Sequence, residues 1–238
     1  TGGSVWAADN TSLFYTKKNE QTLRSEAVFK HQIYAENQED ELVYEEADET
    51  YSVYVNSSKS RKYIFISSHS TTTSEHRFIE SDQPGSTFKV IQSRTVGLEY
   101  DVEHFGDHFY LHTNYNGANN FMIMRTPINQ TTTDSWEPLL QHREDVLIED
   151  FELFNQYWVV NERANGLSTL RVIRWDKTED YYLPMEEETY TLYIANNPDF
   201  KSSKLRYVFN SLTTPTSVIE YDMTTQEKII LKTQEILG

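Results

Sequence analysis

The stretch YSVYVNSSKSRKYIFISSHSTTTSEHRFIESDQPGSTFKVIQS, residues 51–93, decides the fold because it contains four strand-like runs separated by turns. The apolar run that begins at Tyr63 is flanked by segments in which polar and apolar residues mix, as they do in strands. Residues 82–85, Asp-Gln-Pro-Gly, have the composition of a turn. The stretch predicts a unit of four short strands.

Within this stretch, Ser74, Glu75 and His76 are the three side-chain types of a hydrolytic triad. The members of a triad meet through space, whereas neighbours on an extended chain point to opposite faces. We therefore predict that these residues build a strand and do not form a catalytic site.

The same kind of unit recurs along the whole chain. The apolar cores LFY, YIFI, FYLH, YWVV and YVFN begin at residues 13, 63, 109, 157 and 207, so they are spaced by 50, 46, 48 and 50 residues. Four strands in a repeat of this length are typical of a β-propeller blade. We predict an all-β chain with five blade-like units, at about 4–48, 49–95, 96–143, 144–188 and 189–237.

The strands of each unit have different compositions. The second strand is the most apolar and alternates little, which predicts burial on both faces between neighbouring blades. The outer strands carry Lys, Glu and Gln among apolar residues, as an edge strand does to prevent pairing with other chains.

The composition excludes several classes of function. The net charge is −16 and the pI is about 4.8, which argues against a phosphate-binding or nucleic-acid-binding role because nucleic-acid binders need a positive footprint. The chain has no cysteine, which excludes disulfides, thiolate nucleophiles and cysteine-based metal sites. We expect no cofactor and no membrane-spanning segment.

Four segments carry a resemblance to a known family: SVWAADNTSLFYTKK (4–18), DELVYEEADETYSVYV (40–55), NERANGLSTLRVIRWD (161–176) and LRYVFNSLTTPTSVIEYDM (205–223). In this order they resemble segments in the N-terminal propeller of oligopeptidase B, also called protease II, of the prolyl oligopeptidase family of serine peptidases. The resemblance runs over essentially the whole chain.

The resemblance implies a seven-bladed propeller that caps an α/β-hydrolase domain, with cleavage of short peptides after Arg or Lys. Residues 1–238 then form a single partial propeller domain with about five of the blades, and the hydrolase domain is absent. No G-x-S-x-G nucleophile elbow occurs among the eight glycines, so we expect no catalytic residue in this chain and no activity from it alone. The resemblance and the lack of cysteine favour a cytoplasmic location.

Two acidic runs fall between predicted units. Glu45, Glu46, Asp48 and Glu49 lie between the first two units, and Glu186, Glu187 and Glu188 precede the fifth. Such runs are usually solvated loops. Because connections between blades lie at the ends of a propeller, these carboxylates are also candidates for an acidic rim that attracts basic peptides or contacts an adjoining domain.

Three histidines, His104, His108 and His112, are spaced four residues apart. On a helix this spacing would suit a metal, but Gly106-Asp107 predicts a turn between two strands. We therefore favour histidines that are satisfied locally or exposed, and predict no metal site. The aromatic residues that open the units are expected to pack in the core in preference to forming a ligand-stacking ring: Trp6, Tyr51, Tyr54, Tyr100, Phe151 and Tyr190.

Two other functions remain open at this point. One is a stand-alone propeller for protein interaction, although Trp-Asp occurs only once, at Trp175-Asp176. The other is a five-bladed glycoside hydrolase that uses carboxylates such as Asp9, Asp101 and Glu152.

A partial propeller has a physical consequence. If blades are missing, the first and fifth units each expose a sheet face that normally packs on a neighbour. We expect the missing blades and the hydrolase domain of the parent chain as natural partners. Without them we expect either self-association through these faces or compaction of the arc into a tighter ring.

Overall fold

The computed structural model describes residues 3–34 and 40–236, and they form five four-stranded antiparallel sheets. In each sheet, strands that are consecutive in sequence are neighbours. The prediction of an all-β chain built from four-stranded units is confirmed. Two short 3₁₀ turns, Tyr115–Gly117 and Thr133–Ser135, are the helical elements of this part of the chain.

Sheet 1 contains β1 (Ser4–Trp6), β2 (Ser12–Lys18), β3 (Ser25–Gln32) and β4 (Glu41–Glu45). Sheet 2 contains β5 (Ser52–Ser57), β6 (Tyr63–His69), β7 (Ser74–Glu80) and β8 (Lys89–Val90). Sheet 3 contains β9 (Tyr100–Phe105), β10 (His108–Thr113), β11 (Met122–Pro127) and β12 (Glu137–Leu140).

Sheet 4 contains β13 (Val146–Leu153), β14 (Tyr157–Ala164), β15 (Leu167–Arg174) and β16 (Asp180–Tyr182). Sheet 5 contains β17 (Tyr190–Ile194), β18 (Lys204–Ser211), β19 (Ser217–Asp222) and β20 (Lys228–Thr233). The predicted first unit, 4–48, includes residues 35–39, which lie outside the described residues.

The chain divides into two compact units. Unit 1 comprises Thr1–Asn116 and Ile123–Leu139, which include sheets 1 and 2 and nearly all of sheet 3. Unit 2 comprises Gly117–Met122 and Leu140–Gly238, which include sheets 4 and 5. No helix in the described part of the chain is long and apolar enough to cross a membrane.

Packing between sheets forms the core of unit 1. Side chains of sheets 1 and 2, among them Phe14, Val53 and Ile66, make one buried cluster. Aromatic rings join sheets 2 and 3: the ring of Phe109 lies 4.9 Å from that of Phe78 and 5.7 Å from that of Phe65, with edge-to-face geometry in both pairs. Such pairs are favourable beyond the apolar area that they bury.

The core of unit 2 lies between sheets 4 and 5. It combines Val159, Leu170 and Val172 of sheet 4 with Leu205 and Tyr207 of sheet 5. Each sheet therefore contributes an apolar face that its neighbour covers, as twisted antiparallel sheets require when they stack.

The second strands show how many faces of each sheet are covered. In β6, β10 and β14 almost every residue is buried, as predicted from their composition. In β2 and β18, by contrast, buried residues alternate with more exposed ones. The prediction of burial on both faces is therefore wrong for sheets 1 and 5, because only one face of each is covered. The outer strand β20 is exposed at every residue.

An arginine fastens sheet 1 to sheet 2. Arg94 follows sheet 2, and one of its terminal nitrogens lies 2.6 Å from the carboxylate of Glu46 and 3.1 Å from that of Glu75. Tyr44 Oη donates a hydrogen bond of 2.7 Å to Glu46. The guanidinium of Arg77 pairs with Glu75 at 2.6 Å. Both carboxylates are buried, so these partners offset the cost of removing them from water.

Unit 2 contains a similar buried carboxylate. Glu162 on β14 accepts a hydrogen bond of 2.8 Å from Tyr182 Oη and forms an ion pair of 2.5 Å with Arg143. Arg171, which also pairs with Asp180, approaches the same carboxylate at 3.6 Å. In each unit a buried glutamate is therefore held by arginine and tyrosine side chains.

The Glu46 ion pair leads to a prediction about stability. Burial would raise the pKa of Glu46, but hydrogen bonds from Arg94 and Tyr44 outweigh it and lower the pKa to about 2 from an ordinary value of 4.5. A lowered pKa adds stability that is present in full above 4.5 and is lost as the pH falls towards 2. We expect Glu46→Gln to lower the free energy of unfolding by about 2 kcal/mol at pH 7.

Urea unfolding of both proteins between pH 3 and pH 7 measures this effect. The difference between wild type and Glu46→Gln should shrink as the pH falls from 5 to 3. Glu45→Gln, which changes the exposed neighbour, should leave the stability nearly unchanged. A difference that is independent of pH, or an equal loss in Glu45→Gln, would contradict the assignment.

Candidate functional site

The order of the strands places the predicted acidic residues at one edge of each sheet. In a four-stranded antiparallel sheet with consecutive neighbours, the connection to the next sheet and the hairpin between the second and third strands lie at the same edge. We call this the linker edge. In unit 1 it includes residues 46–51 and 91–99, and in unit 2 it includes residues 183–189 and 212–216.

The first acidic run lies on the linker edge of unit 1. Glu45, Asp48 and Glu49 are exposed, whereas Glu46 is only 5% exposed and is occupied by Arg94. Hydrogen bonds from the hydroxyl and backbone N–H of Thr50 lower the pKa of Asp48. Three carboxylates of this run are therefore presented to solvent, while the fourth belongs to the interior of the unit.

The second acidic run lies on the linker edge of unit 2. The carboxylate of Glu186 accepts a hydrogen bond of 2.8 Å from Lys228 Nζ on β20. Glu187 accepts hydrogen bonds of 3.0 and 2.6 Å from the hydroxyls of Thr213 and Thr214. Glu188 is exposed. The run is thus held in place by the strand and the hairpin beside it.

A cavity of about 200 Å³ opens next to the second acidic run. Its walls are mostly apolar, and Glu186, Glu187 and Lys228 lie among its lining residues. Burial, with smaller contributions from Tyr221 and Glu186, raises the pKa of Tyr207 in the cavity wall to about 12. The hydroxyl of Tyr207 is therefore neutral at pH 7.

Among the residues that the structure describes, one group of three has metal-ligand chemistry. Ligand atoms of His69, His76 and Asp101 in unit 1 lie within 4.8 Å of one another. His76 Nε2 lies 2.6 Å from the carbonyl of Tyr100, which can only accept, so Nε2 donates. Ser67 Oγ then donates to His76 Nδ1 at 2.8 Å. Both ring nitrogens of His76 are therefore engaged, and the group does not fit a metal without breaking one of these bonds.

The protonation states of His69, His76 and Asp101 determine the charge of the surface around Asp101. Burial lowers the pKa of His69, and it lowers that of His76 to about 4, so both rings are neutral at pH 7. The surrounding protein would raise the pKa of Asp101, but a hydrogen bond from His112 and the nearby histidines outweigh it and lower the pKa. Asp101, whose side chain is 66% exposed, is therefore a charged carboxylate at the surface.

The structure does not bring together the three regularly spaced histidines. Gly106 has a positive φ of 62° in the predicted turn, and His104 and His108 pair with phenylalanines across the hairpin. His104 is buried, donates to the Gly106 carbonyl and accepts from Ser60 Oγ. His112 lies beside Asp101, at 3.9 Å. The interpretation of His104 as a locally satisfied residue is confirmed.

The other predicted clusters have local roles. Ser74 Oγ on β7 donates to the Tyr100 carbonyl at 2.7 Å, so the strand interpretation of residues 74–76 is confirmed. Burial would raise the pKa of Asp9, but hydrogen bonds from Ser12 and Thr11 outweigh it and hold the pKa at about 2. Neither Asp9 nor Asp101 thus has the raised pKa that a general acid of a glycoside hydrolase requires.

The aromatic residues that open the units differ in burial. Phe151 and Tyr190 are partly buried, and Tyr190 packs against the cluster between sheets 4 and 5. Tyr51 and Tyr100 are buried, as predicted for core residues, and Tyr100 is almost fully enclosed. Trp6 and Tyr54, on the first strands of sheets 1 and 2, are about half exposed. The prediction of core packing is therefore confirmed for Tyr51 and Tyr100 and wrong for Trp6 and Tyr54, while Phe151 and Tyr190 are intermediate.

Sequence reasoning missed the partners of the acidic residues. Arg94 lies 48 residues after Glu46, and Lys228 lies 42 residues after Glu186. Both separations are close to the repeat length, and Glu46 and Arg94 each follow the last strand of their own sheet. The repeat period itself was therefore the signal that could have found them.

Comparisons with known proteins agree with this fold. The family model of the prolyl oligopeptidase N-terminal β-propeller domain matches residues 1–234. The chain is 38% identical to dipeptidyl aminopeptidase BI of Pseudoxanthomonas mexicana, over 98% of this chain and 32% of that protein. It is 28% identical to protease 2 of Moraxella lacunata, over 100% of this chain and 34% of that protein.

A solved structure of a member of this family has a similar fold. Oligopeptidase B from Leishmania major superposes with a TM-score of 0.90 at 27% identity, over 100% of this chain and 34% of that one. The chain spans about a third of the length of the relatives that it matches. It belongs to the prolyl oligopeptidase family, as an N-terminal β-propeller domain related to that of oligopeptidase B.

Proposed function

We propose that this chain is the non-catalytic, substrate-gating propeller of an oligopeptidase B-like serine peptidase that cleaves short peptides after Arg or Lys. The observation that carries the proposal is the family match over residues 1–234 by a chain that spans about a third of its relatives. A stack of rigid sheets suits a cap, because closure over a site excludes water and admits only substrates that fit inside. The proposed location is cytoplasmic.

The exposed carboxylates of the two acidic runs support a preference for basic peptides. Glu45, Asp48 and Glu49 in unit 1 and Glu188 in unit 2 are exposed, in a chain with a net charge of −16. A surface of this kind raises the local concentration of cationic substrates and speeds their encounter. We therefore propose the acidic rim as an electrostatic guide for the substrate or for a basic surface of an adjoining domain.

One observation favours a second peptidase activity for the parent protein, that of a dipeptidyl aminopeptidase. The relative that is 38% identical is named a dipeptidyl aminopeptidase, a type of enzyme that releases dipeptides from a free N-terminus. The parent of this chain would then need a free ammonium group in its substrate, whereas an oligopeptidase would not.

The first test is a hydrolysis assay with the full-length parent protein. The substrates are reporter peptides ending in Arg, Lys or Pro, each with a free or a blocked N-terminus. We expect hydrolysis after Arg and Lys with either N-terminus and no hydrolysis of a folded protein that carries the same sequence in a surface loop. Activity only with a free N-terminus would favour the dipeptidyl aminopeptidase, and no activity on any substrate would contradict the proposal.

The acidic rim is tested in the same assay. Neutralising Glu45, Asp48 and Glu49 together should lower kcat/KM for dibasic peptides about threefold at low ionic strength, because steering is lost. The effect should vanish in high salt, where the charges are screened. A matched control neutralises three exposed carboxylates elsewhere, Asp134, Glu137 and Glu227. If the control variant lowers kcat/KM equally, or if the rim variant does not lower it, the proposed role of the acidic rim is wrong.

The outer face of sheet 5 supports the proposal that further parts of the parent chain pack against this chain. Tyr193 and Ile229 are 50% and 54% exposed, and the strand pairing places them on the face opposite to Leu192 and Ile219, which pack against sheet 4. Glu220, on this same outer face, pairs with Lys204 and Arg206. We propose that the rest of the parent chain covers this mixed face, and that the 238-residue chain alone associates through it.

A further inference from the structure

The cavity of unit 2 has the shape of a binding site for a slender apolar group. Its volume is about 200 Å³, several times the ~30 Å³ that one water molecule occupies in the liquid. The apolar part of its wall is formed by Pro184, Met185, Tyr207, Phe209, Ile219 and Ile230. A wall of this kind favours an aliphatic chain over water.

The polar part of the wall contains two carboxylates, one ammonium group and the hydroxyls of Thr214 and Ser217. Glu186 and Glu187 line the cavity together with one cation, Lys228, which is already paired with Glu186. The side chain of Glu186 is 83% exposed, so its charge remains accessible to a ligand. Glu187 is held by Thr213 and Thr214, which fixes its carboxylate beside the apolar wall.

The cavity lies between the linker that joins sheets 4 and 5 and the inner face of sheet 5. Tyr207, Phe209 and Ile219 belong to the buried cluster that joins the two sheets, and Met185 packs against it. Both sheets are present in this chain. The cavity is therefore distinct from the outer face of sheet 5, and additional sheets beyond that face would leave it in place.

We propose that this cavity binds the side chain of an arginine or lysine residue of a peptide. The methylene groups would lie against Tyr207, Ile219 and Ile230, and the cationic end would lie between Glu186 and Glu187. Long basic side chains bind in this manner, with the stem on an apolar surface and the charged head in water or on a carboxylate. The inference goes beyond the proposed function, because it adds a contact for basic peptides outside the cleavage site.

Lys228 is expected to weaken the binding of a cationic ligand in the cavity. Its ammonium group competes with a cationic ligand for Glu186, from which it is 2.8 Å distant. Removing this competitor should strengthen binding, whereas removing the carboxylates should weaken it. A gain of binding cannot result from misfolding, so it is an informative outcome.

The test uses the full-length protein with ¹³C-labelled methionine methyl groups and small probes. The resonance of Met185, identified by its loss in Met185→Leu, reports on the cavity wall directly. The probe is n-butylguanidine, and the control is N-butylurea, which has the same shape and no charge. We expect n-butylguanidine to shift the Met185 resonance in a saturable way and N-butylurea to bind at least fivefold more weakly.

Variants then test the role of each charge. Glu186→Gln combined with Glu187→Gln should weaken binding of n-butylguanidine about fivefold or more, whereas Glu188→Gln should have little effect. Lys228→Met should strengthen binding about threefold. Glu186→Gln alone, which changes an exposed side chain, repeats the test without disturbing the hairpin that Glu187 holds.

The proposal is overturned if n-butylguanidine does not shift Met185, if N-butylurea binds equally well, or if Lys228→Met weakens binding. These outcomes are independent of peptidase activity. A parent protein with no activity after Arg or Lys could still bind the probe in this cavity, and an active one could fail to bind it, so the two proposals fail separately.

Discussion

The structure depends on one constraint: each four-stranded sheet has apolar side chains on its faces, and a neighbouring sheet must cover them. In β6 and β14 almost every residue is buried, which is possible only when sheets or loops cover both faces. The clusters that join sheets 1 and 2 in unit 1, and sheets 4 and 5 in unit 2, are the direct result. Burial of these faces supplies the main driving force for folding.

Polar groups where two sheets meet also affect how the sheets stack. Glu46, where sheets 1 and 2 meet, is a buried charge whose partners are Tyr44 on β4 and Arg94 in the linker after sheet 2. A buried charge of this kind is tolerated only in one arrangement of its partners, which favours a single way of stacking the sheets. In unit 2 the linker between sheets 4 and 5 and the inner face of sheet 5 enclose a cavity with a mostly apolar wall that also contains two carboxylates.

Much of this fold could be predicted from the sequence because the repeat is strong. The cores at Tyr63, Phe109 and Tyr157 fall on β6, β10 and β14, and the turn at Gly106 lies where composition predicted it. Details that depend on neighbouring sheets could not be predicted. Glu46 is interior because Arg94 reaches it across the seam, and a solvated run of carboxylates gives no sign of such a partner.

In the candidate sites, too, local features could be predicted from the sequence and features that depend on packing could not. Local patterns correctly indicated that Ser74 and His104 are satisfied by nearby groups, because strand and turn signals are local. Trp6 and Tyr54 are exposed although aromatic residues usually pack inside, because each lies on the face of its strand opposite to a neighbour that packs in the core, Val5 and Val53 respectively. The cavity beside Glu186 required the three-dimensional packing of sheets 4 and 5, which no single stretch of sequence describes.

The stacking constraint is tested most directly by sedimentation velocity of the 238-residue chain over a wide concentration range. The account predicts reversible association that Ile229→Lys and Tyr193→Glu abolish, because each places a charge on the open face of sheet 5. Leu212→Lys, at a hairpin tip that is 98% exposed, should not change it. A chain that remains monomeric at every concentration would contradict the claim that the open, mixed face of sheet 5 requires a cover.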